Sequence, residues 1–389
     1  MAKPKKTVSA RKPSRRKKAA KRAPARSTMS TPTRRKAPAL PAGAMTGGPV
    51  TLDEARALAS AYAPKRTLRR AAAPAQQAAT HASVAMEREN LDKQIRDENE
   101  RRIRQYAAIM AIMKSRGVKG LAPAAAAAQG PRRRQAAAAP AAPPLQIFAE
   151  GDSWFDYPVP FFGGGVVPRL ERRLGVPILS LAKAGDEVRN MLGVEERQIL
   201  TQQLRNGSPA GGPWDALLFS GGGNDIVGNP MALWVQDFDN TVPPANLINA
   251  ARFTAALSLV RAGYEDLITI RDALSPTTHL VFHGYDFAIP DGRGICGMGP
   301  WLKPTFDLRR FPAVLPASAV VKAMLQQFAA MLQSLVAMRN AVTFINTQGT
   351  LPPMTSSWHN ELHPSKNGFN MIAAVFHANL KTLFPGRVL

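Results

Sequence analysis

From Leu145 to the C-terminus, short apolar runs alternate with longer segments of helical periodicity. This alternation is typical of a parallel β-sheet, because parallel strands must be joined by long crossover connections that are usually helical. We therefore predict an α/β fold for residues 145–389. The predicted strands are 145–149, 177–182, 215–220, 278–284 and 341–346.

The segments between these strands fall into two kinds. Apolar residues recur at helical spacing in 318–339 and in about 366–383, which predicts two amphipathic helices. In contrast, 226–246 and 285–315 are long, irregular and rich in Pro and Gly. Irregular segments of this length in a compact domain are usually functional loops, so we expect them to set ligand preference.

The excess positive charge lies in the N-terminal third of the chain. Residues 1–145 contain 32 Lys and Arg against 8 Asp and Glu, whereas the remaining residues contain 19 of each kind. The first 50 residues are mostly Lys, Arg, Ala and Pro, so they cannot bury a core and are predicted to be largely disordered. Residues 1–45 either bind nucleic acid or another polyanion, or are a solubilising extension or an over-long gene model.

Residues 51–120 are predicted to form short helical segments. One covers 51–63 and begins at Thr51 or Asp53 as its cap. A second covers about 84–116, where dense mixed charge accompanies apolar residues near helical spacing, and it either pairs with itself or docks on the α/β region. The alanine- and proline-rich residues 121–144 are predicted to be a linker.

Several classes of protein are disfavoured by what the sequence lacks. The chain has one cysteine, so no internal disulfide can hold the fold. No apolar run approaches the roughly 20 residues of a transmembrane helix, and no apolar segment of a signal peptide follows the charged N-terminus. We therefore expect no transmembrane segment and a cytoplasmic protein. No metal-binding motif is present, and we expect no cofactor.

Polar residues follow the predicted strands at positions where ligands bind in open parallel sheets, beyond the carboxyl ends. Ser153 follows the first strand, Gly185 the second and Asn224 the third, and His363 lies in the loop after the fifth. We predict that these four residues meet at one edge of the sheet.

These residue types suit acyl transfer. A serine hydroxyl needs an adjacent base, which His363 could supply. The negatively charged oxygen of a tetrahedral intermediate needs fixed donors, which the backbone N–H groups of Ser153 and Gly185 and the amide of Asn224 could supply. Aromatic residues that follow Ser153 either line an acyl pocket or belong to the core. They are Phe155, Tyr157, Phe161 and Phe162.

Four short motifs resemble the four sequence blocks of the GDSL/SGNH hydrolase superfamily. They are GDSW at 151–154, AKAGD at 182–186, GGND at 222–225 and HP at 363–364, and the resemblance covers about 145–385. It implies a flavodoxin-like three-layer α/β/α sandwich with a central parallel sheet of about five strands. It also implies a metal-free, lipase-like serine hydrolase that acts on an ester substrate.

The resemblance assigns a role to each motif residue. Ser153 would be the nucleophile and His363 the base, and Ser153, Gly185 and Asn224 would form the oxyanion hole. Trp154 stands where the family usually has leucine, a difference that is not expected to affect the mechanism.

The position three residues before the histidine departs from the family, which usually has aspartate there. Here it is Asn360, whose carbonyl oxygen can orient an imidazole but cannot stabilise its cation by charge. Glu361 carries a charge, but it would point about 100° away around a helix. Either Asn360 or Glu361 orients His363, or activity is impaired. The alternative to an esterase is therefore a polyanion-tethered binding protein whose hydrolase-like domain is weakly active or inactive.

Overall fold

The computed structural model describes residues 42–61, 81–119, 142–158, 163–295, 297–337 and 339–389. The predicted basic tail before residue 42, most of the predicted linker, and Phe161 and Phe162 lie outside these ranges. The strands are Ile147–Gly151 (β1), Ile178–Ser180 (β2), Ala216–Ser220 (β3), His279–His283 (β4) and Val342–Ile345 (β5). Each of the five predicted strands is present, and each of its ends lies within two residues of the predicted position.

All strand pairs are parallel, and the sheet order is β2-β1-β3-β4-β5. This is the flavodoxin-like order of a doubly wound sheet. The α-helices of the described residues are Ala42–Met45 (α1), Leu52–Ala61 (α2), His81–Arg116 (α3), Val166–Leu174 (α4), Val188–Met191 (α5), Val194–Asn206 (α6), Gly223–Ile226 (α7), Ala250–Leu274 (α8), Lys303–Leu308 (α9), Val314–Val336 (α10) and Lys366–Leu383 (α11).

The helices form a layer on each face of the sheet. The chain moves from β1 to the edge strand β2 through α4, and then in the opposite direction through α6, α8 and α10. Because parallel crossovers are right-handed, α4 lies on one face and the other three helices on the opposite face. Helix α11 packs against α4. The predicted three-layer α/β/α sandwich is confirmed.

Helix α3 docks on the α/β region. The side chains of Met110 and Met113 near its C-terminus are fully buried, and the ring of Tyr106 lies 5.4 Å from that of Trp214. Arg102 of α3 donates hydrogen bonds of 3.1 and 3.2 Å to the carbonyl oxygens of residues 180 and 182 at the edge strand β2. Of the two arrangements expected for this helix, docking is the one observed.

Thr51, rather than Asp53, caps helix α2. The hydroxyl oxygen of Thr51 accepts a 3.3 Å bond from the backbone N–H of Glu54, whose carboxylate accepts a 2.7 Å bond from the backbone N–H of Thr51. This reciprocal pair is a capping box.

Of the described helices, α10 is the one that is long and apolar enough to cross a membrane by length and composition. Its side chains Val320, Phe328 and Leu332 are fully buried, and the helix packs on β4 and β5. In the part of the chain that the structure describes, no transmembrane segment is indicated.

Candidate active site

Ser153 lies in the tight turn that follows β1. At Gly151, the last residue of the strand, a Cβ atom would come within 2.6 Å of the carbonyl oxygen of Ser220 on β3, so this close approach requires glycine. The backbone N–H of Asp152 continues the contact by donating a 3.0 Å bond to the same oxygen. The Asp152 carboxylate then accepts a 3.0 Å bond from the backbone N–H of Trp154. These contacts place Ser153 at the carboxyl edge of the sheet.

His363 reaches the same place from the loop between β5 and α11. Its Nε2 atom lies 2.6 Å from the Oγ atom of Ser153, and the residue is 7% exposed. Two residues later, Ser365 caps α11 by accepting a 3.1 Å bond from the backbone N–H of Gly368. The first turn of α11 therefore fixes the end of the loop that presents the imidazole.

The side-chain oxygen of Asn360 contacts the imidazole of His363. The Oδ1 atom lies 3.0 Å from Nδ1 of His363 and accepts 2.9 Å bonds from the backbone N–H groups of Leu362 and His363. The side-chain atom of Asn360 that accepts these two backbone bonds must be its carbonyl oxygen, because an amide nitrogen cannot accept them. Nδ1 of His363 must therefore be the donor in its contact with this oxygen. Nε2 then carries no proton and can accept one from the Ser153 hydroxyl. This is the tautomer that a general base requires.

Glu361 points away from the imidazole and into the 285–315 loop. The residue is fully buried, and its carboxylate accepts four backbone hydrogen bonds. The donors are the N–H groups of Gly292 (2.9 Å), Trp301 (2.6 Å), Leu302 (2.8 Å) and Lys303 (2.9 Å). Of the two candidates for the orienting group, the structure places Asn360 against His363 and Glu361 against this loop.

Of the three residues expected to form an oxyanion hole, Ser153 and Asn224 line one cavity and Gly185 does not. Asn224 lines the same cavity as Ser153 and His363, and its Nδ2 atom donates a 2.8 Å bond to the carbonyl oxygen of Asp186. This bond uses one of the two N–H groups of the amide and fixes its orientation. Gly185 precedes Asp186, is exposed and has φ +81°, but it is not part of the cavity lining.

An apolar cavity of about 40 Å³ opens beside Ser153 and His363. Its walls come from both loops that were expected to set ligand preference and from α10. The apolar lining includes Ile226, Val227, Leu302, Val321, Met324 and Leu325. The arrangement can hold a small uncharged group next to the serine hydroxyl.

A buried polar network lies beneath the serine turn. The Asp152 carboxylate accepts bonds from the Tyr285 hydroxyl (2.6 Å) and the Ser220 hydroxyl (2.9 Å), and Ser220 Oγ lies 2.8 Å from Nε2 of His283. Nδ1 of His283 accepts a 3.2 Å bond from the backbone N–H of Tyr285, so Nε2 is the donor to Ser220. Burial raises the pKa of Asp152 to about 6 and lowers the pKa of His283 to about 3. The network ties the serine turn to β3 and β4.

Burial, with a smaller contribution from the nearby His359, also lowers the pKa of His363 to about 3. The imidazole is therefore neutral at pH 7, as a proton acceptor must be.

Tyr157 lies against His363, a position that sequence reasoning did not foresee. The two rings stack with centroids 4.4 Å apart and planes inclined by 28°. The phenol oxygen accepts a 3.2 Å bond from Nδ2 of Asn360 and lies 2.5 Å from Nδ1 of His359. Tyr157 was expected in an acyl pocket or in the core, and its place two residues beyond a motif gave no signal of this contact.

Within the described ranges, no group of three or more His, Cys, Asp or Glu side chains is arranged to hold a metal ion.

No protein-family model matches this chain, and no curated protein matches it. Solved structures with similarity to it include a lipase from a goat rumen metagenome, at 18% identity over 60% of this chain and 96% of that one (TM-score 0.39). A protein from Parabacteroides merdae described as a GDSL-like lipase is 15% identical over 61% and 98% of the two chains (TM-score 0.34). One from Slackia heliotrinireducens described as an SGNH hydrolase is 12% identical over 60% and 97% (TM-score 0.32). The descriptions of the last two use the names of the superfamily that the four sequence blocks resemble.

Proposed function

We propose that this protein is a serine hydrolase of carboxylic esters. The observation that carries the proposal is the 2.6 Å contact between Ser153 Oγ and His363 Nε2, with the unprotonated nitrogen facing the hydroxyl. Asn360 holds the imidazole in this tautomer through its 3.0 Å contact with Nδ1.

The reaction proceeds in two halves. Ser153 Oγ attacks the ester carbonyl carbon while its proton moves to His363 Nε2, and the carbonyl oxygen becomes an oxyanion. The backbone N–H groups of Ser153 and Gly185 and the amide of Asn224 donate to this oxyanion. His363 then returns the proton to the leaving alcohol, which leaves an acyl-enzyme. Water, deprotonated by His363, attacks the acyl-enzyme, and the acid is released with Ser153 restored.

The cavity beside the serine supports a short, uncharged acyl group as the preferred one. Its volume is about 40 Å³, and its lining from α10 and the two loops is mostly apolar. A charged acyl chain would lose its hydration there without gaining a partner.

The test combines a fluorophosphonate probe, which reacts with an activated serine, with a panel of p-nitrophenyl esters of increasing acyl length. We expect the full chain to be labelled and to hydrolyse the shorter esters, and Ser153→Ala to lose both properties at an unchanged melting temperature. A matched control is Ser258→Ala, which changes an exposed serine on α8. If the full chain is neither labelled nor active on any ester, the proposal fails.

The alternative proposal is a polyanion-tethered binding protein whose hydrolase-like domain is weakly active or inactive. It rests on the charge of residues 1–145 and on Asn360, which cannot stabilise the imidazolium by charge. Deletion of residues 1–41 separates the two functions. We expect this deletion to leave ester hydrolysis intact and to weaken salt-dependent binding to DNA. Unchanged DNA binding after the deletion would show that the tail does not bind the polyanion. A cytoplasmic location stays a prediction from the sequence.

A further inference from the structure

We propose that the aromatic face of Tyr157 stabilises the imidazolium form of His363, and so supplies part of what a carboxylate supplies in a Ser–His–Asp triad. This inference rests on the proposed function, because the imidazolium forms only when His363 takes the Ser153 proton.

The need for such a group follows from Asn360. When His363 accepts a proton, a positive charge appears on a residue that is 7% exposed. The Nδ1–H group of that cation donates to a neutral amide oxygen, at 3.0 Å. An amide orients the ring but adds no opposite charge, and burial disfavours a cation unless another group compensates.

The geometry of Tyr157 fits this role. Its ring stacks on the imidazole with centroids 4.4 Å apart and planes inclined by 28°. A cation within about 6 Å of an aromatic centroid, over the ring face, is attracted by the negative charge of that face. Tyr157 is 3% exposed, so water does not screen the attraction.

The phenol hydroxyl holds the ring in place. It accepts a 3.2 Å bond from Nδ2 of Asn360 and lies 2.5 Å from Nδ1 of His359. The group that orients His363 through one atom therefore also anchors Tyr157 through another. A shift of either ring would break this shared contact.

Other charged groups near the imidazole are already engaged. The Glu361 carboxylate accepts four backbone amides of the 285–315 loop. The Asp152 carboxylate is bound by the hydroxyls of Tyr285 and Ser220. His359, on the same loop as His363, lowers the pKa of His363 and thus opposes the cation. Arg293 donates to the carbonyl oxygens of residues 358 and 359.

The first experiment separates the ring face from the hydroxyl. Tyr157→Phe keeps the face, and we expect its kcat on a short p-nitrophenyl ester to stay within about threefold of the parent, since the hydroxyl loses only neutral hydrogen bonds, among them those with Asn360 and His359. Tyr157→Leu removes the face, and we expect kcat to fall at least about tenfold with KM nearly unchanged. Phe369→Leu is the matched control: its ring lies 5.6 Å from that of Tyr157, and its loss should lower the melting temperature more than kcat.

The second experiment restores the charge. Asn360→Asp should raise kcat more in the Tyr157→Leu background than in the parent, because a carboxylate then supplies the stabilisation that the ring no longer does. A merely structural role for Tyr157 would not produce this rescue.

If Tyr157→Leu does not fold, Tyr157 is replaced instead by phenylalanine and by fluorinated phenylalanines. All of these keep the shape of the ring, and fluorine weakens the negative charge of its face. We expect kcat to fall stepwise with fluorine content. Equal kcat in the Phe and Leu variants, no rescue by Asn360→Asp, or no dependence on fluorination would overturn the inference while leaving the proposed function intact. A parent protein that neither reacts with the fluorophosphonate probe nor hydrolyses esters would overturn both.

Discussion

The indole N–H of Trp154 donates a 3.0 Å hydrogen bond to the carbonyl oxygen of Leu362, the residue before His363. Trp154 directly follows Ser153, so a single side chain ties the serine turn to the histidine loop. The indole is 5% exposed and packs edge-on against Tyr285, with ring centroids 5.1 Å apart. The tryptophan that stands at the usual leucine position therefore contacts the histidine loop.

We expect Trp154→Phe to lower kcat about tenfold, because removing the N–H loosens the register between Ser153 and His363 while keeping an aromatic ring. The loss of one hydrogen bond should lower the free energy of unfolding by only about 1 kcal/mol. The matched control is Trp214→Phe, whose indole N–H also donates a 3.0 Å bond to a backbone carbonyl, that of Gln203. Urea unfolding should show similar stability losses in the two variants, whereas steady-state kinetics should show a loss of kcat in Trp154→Phe alone. Equal kcat in both variants would contradict the prediction.

Glu361→Gln should destabilise the protein even though Glu361 does not touch the imidazole. Its carboxylate accepts four backbone N–H groups, and a glutamine side chain would present an NH₂ group to some of these donors. We expect the free energy of unfolding to fall by about 2–4 kcal/mol. Glu265→Gln is the control: Glu265 is a half-buried residue of α8 that pairs with the partly exposed Arg261, and its loss should change stability by less than about 0.5 kcal/mol. A stability loss in urea no greater than that of the control would argue against this role.

The contribution of His283 and His363 to the free energy of unfolding should fall as the pH decreases from about 6.5 toward 3. Burial holds the pKa of His283 and His363 at about 3 in the folded protein, whereas an unfolded histidine titrates near 6.5. In this window the unfolded state binds more protons, so acidification favours unfolding, and above about pH 6.5 the full contribution is present.

The raised pKa of Asp152 acts in the opposite direction, since the folded protein then binds a proton more readily than the unfolded chain does. A comparison between the parent and His283→Gln, by urea unfolding from pH 7 to pH 4, therefore isolates the histidine. We expect a shallower acid decline in the variant. The same slope in both proteins would mean that His283 does not take up a proton on unfolding.

The cavity volume predicts which acyl chains react. Met324 of α10 lines the apolar cavity beside Ser153, and Met324→Ala should enlarge it. We expect the kcat/KM maximum of the ester panel to move to longer acyl chains, with lower kcat/KM on the shortest. Met331→Ala, on the same helix but outside the cavity lining, should leave the profile unchanged. A Met324→Ala profile that matches the parent would place the acyl chain elsewhere.

Sequence reasoning identified the sheet, the predicted helix at 366–383 and the meeting of Ser153 with His363. These features depend on local periodicity and on the rule that ligands bind at the carboxyl ends of parallel strands. Helix α11 spans Lys366–Leu383, as its periodicity indicated, because buried residues such as Phe369, Ile372 and Phe376 recur along one face.

The contacts of Tyr157, Glu361 and Trp154 could not be predicted in the same way. Each depends on which residue of a distant segment faces the side chain, and periodicity carries no information on that choice. The amides that bind Glu361 come from an irregular loop, where no pattern indicates which N–H groups converge. The contact between Asn360 and His363, by comparison, was expected from the resemblance to the family, which usually has an aspartate three residues before the histidine.

Strand β2 is an outer strand of the sheet, and such strands present backbone groups that can pair with another molecule. Arg102 of α3 donates hydrogen bonds to two backbone carbonyl groups at this edge of the sheet. Methionines of the same helix are buried against the α/β region. The charged helix thus protects the sheet against intermolecular strand pairing. A chain shortened to the linker near residue 140 would lose this cover and tend to aggregate, so a version made for structural work should retain the helix.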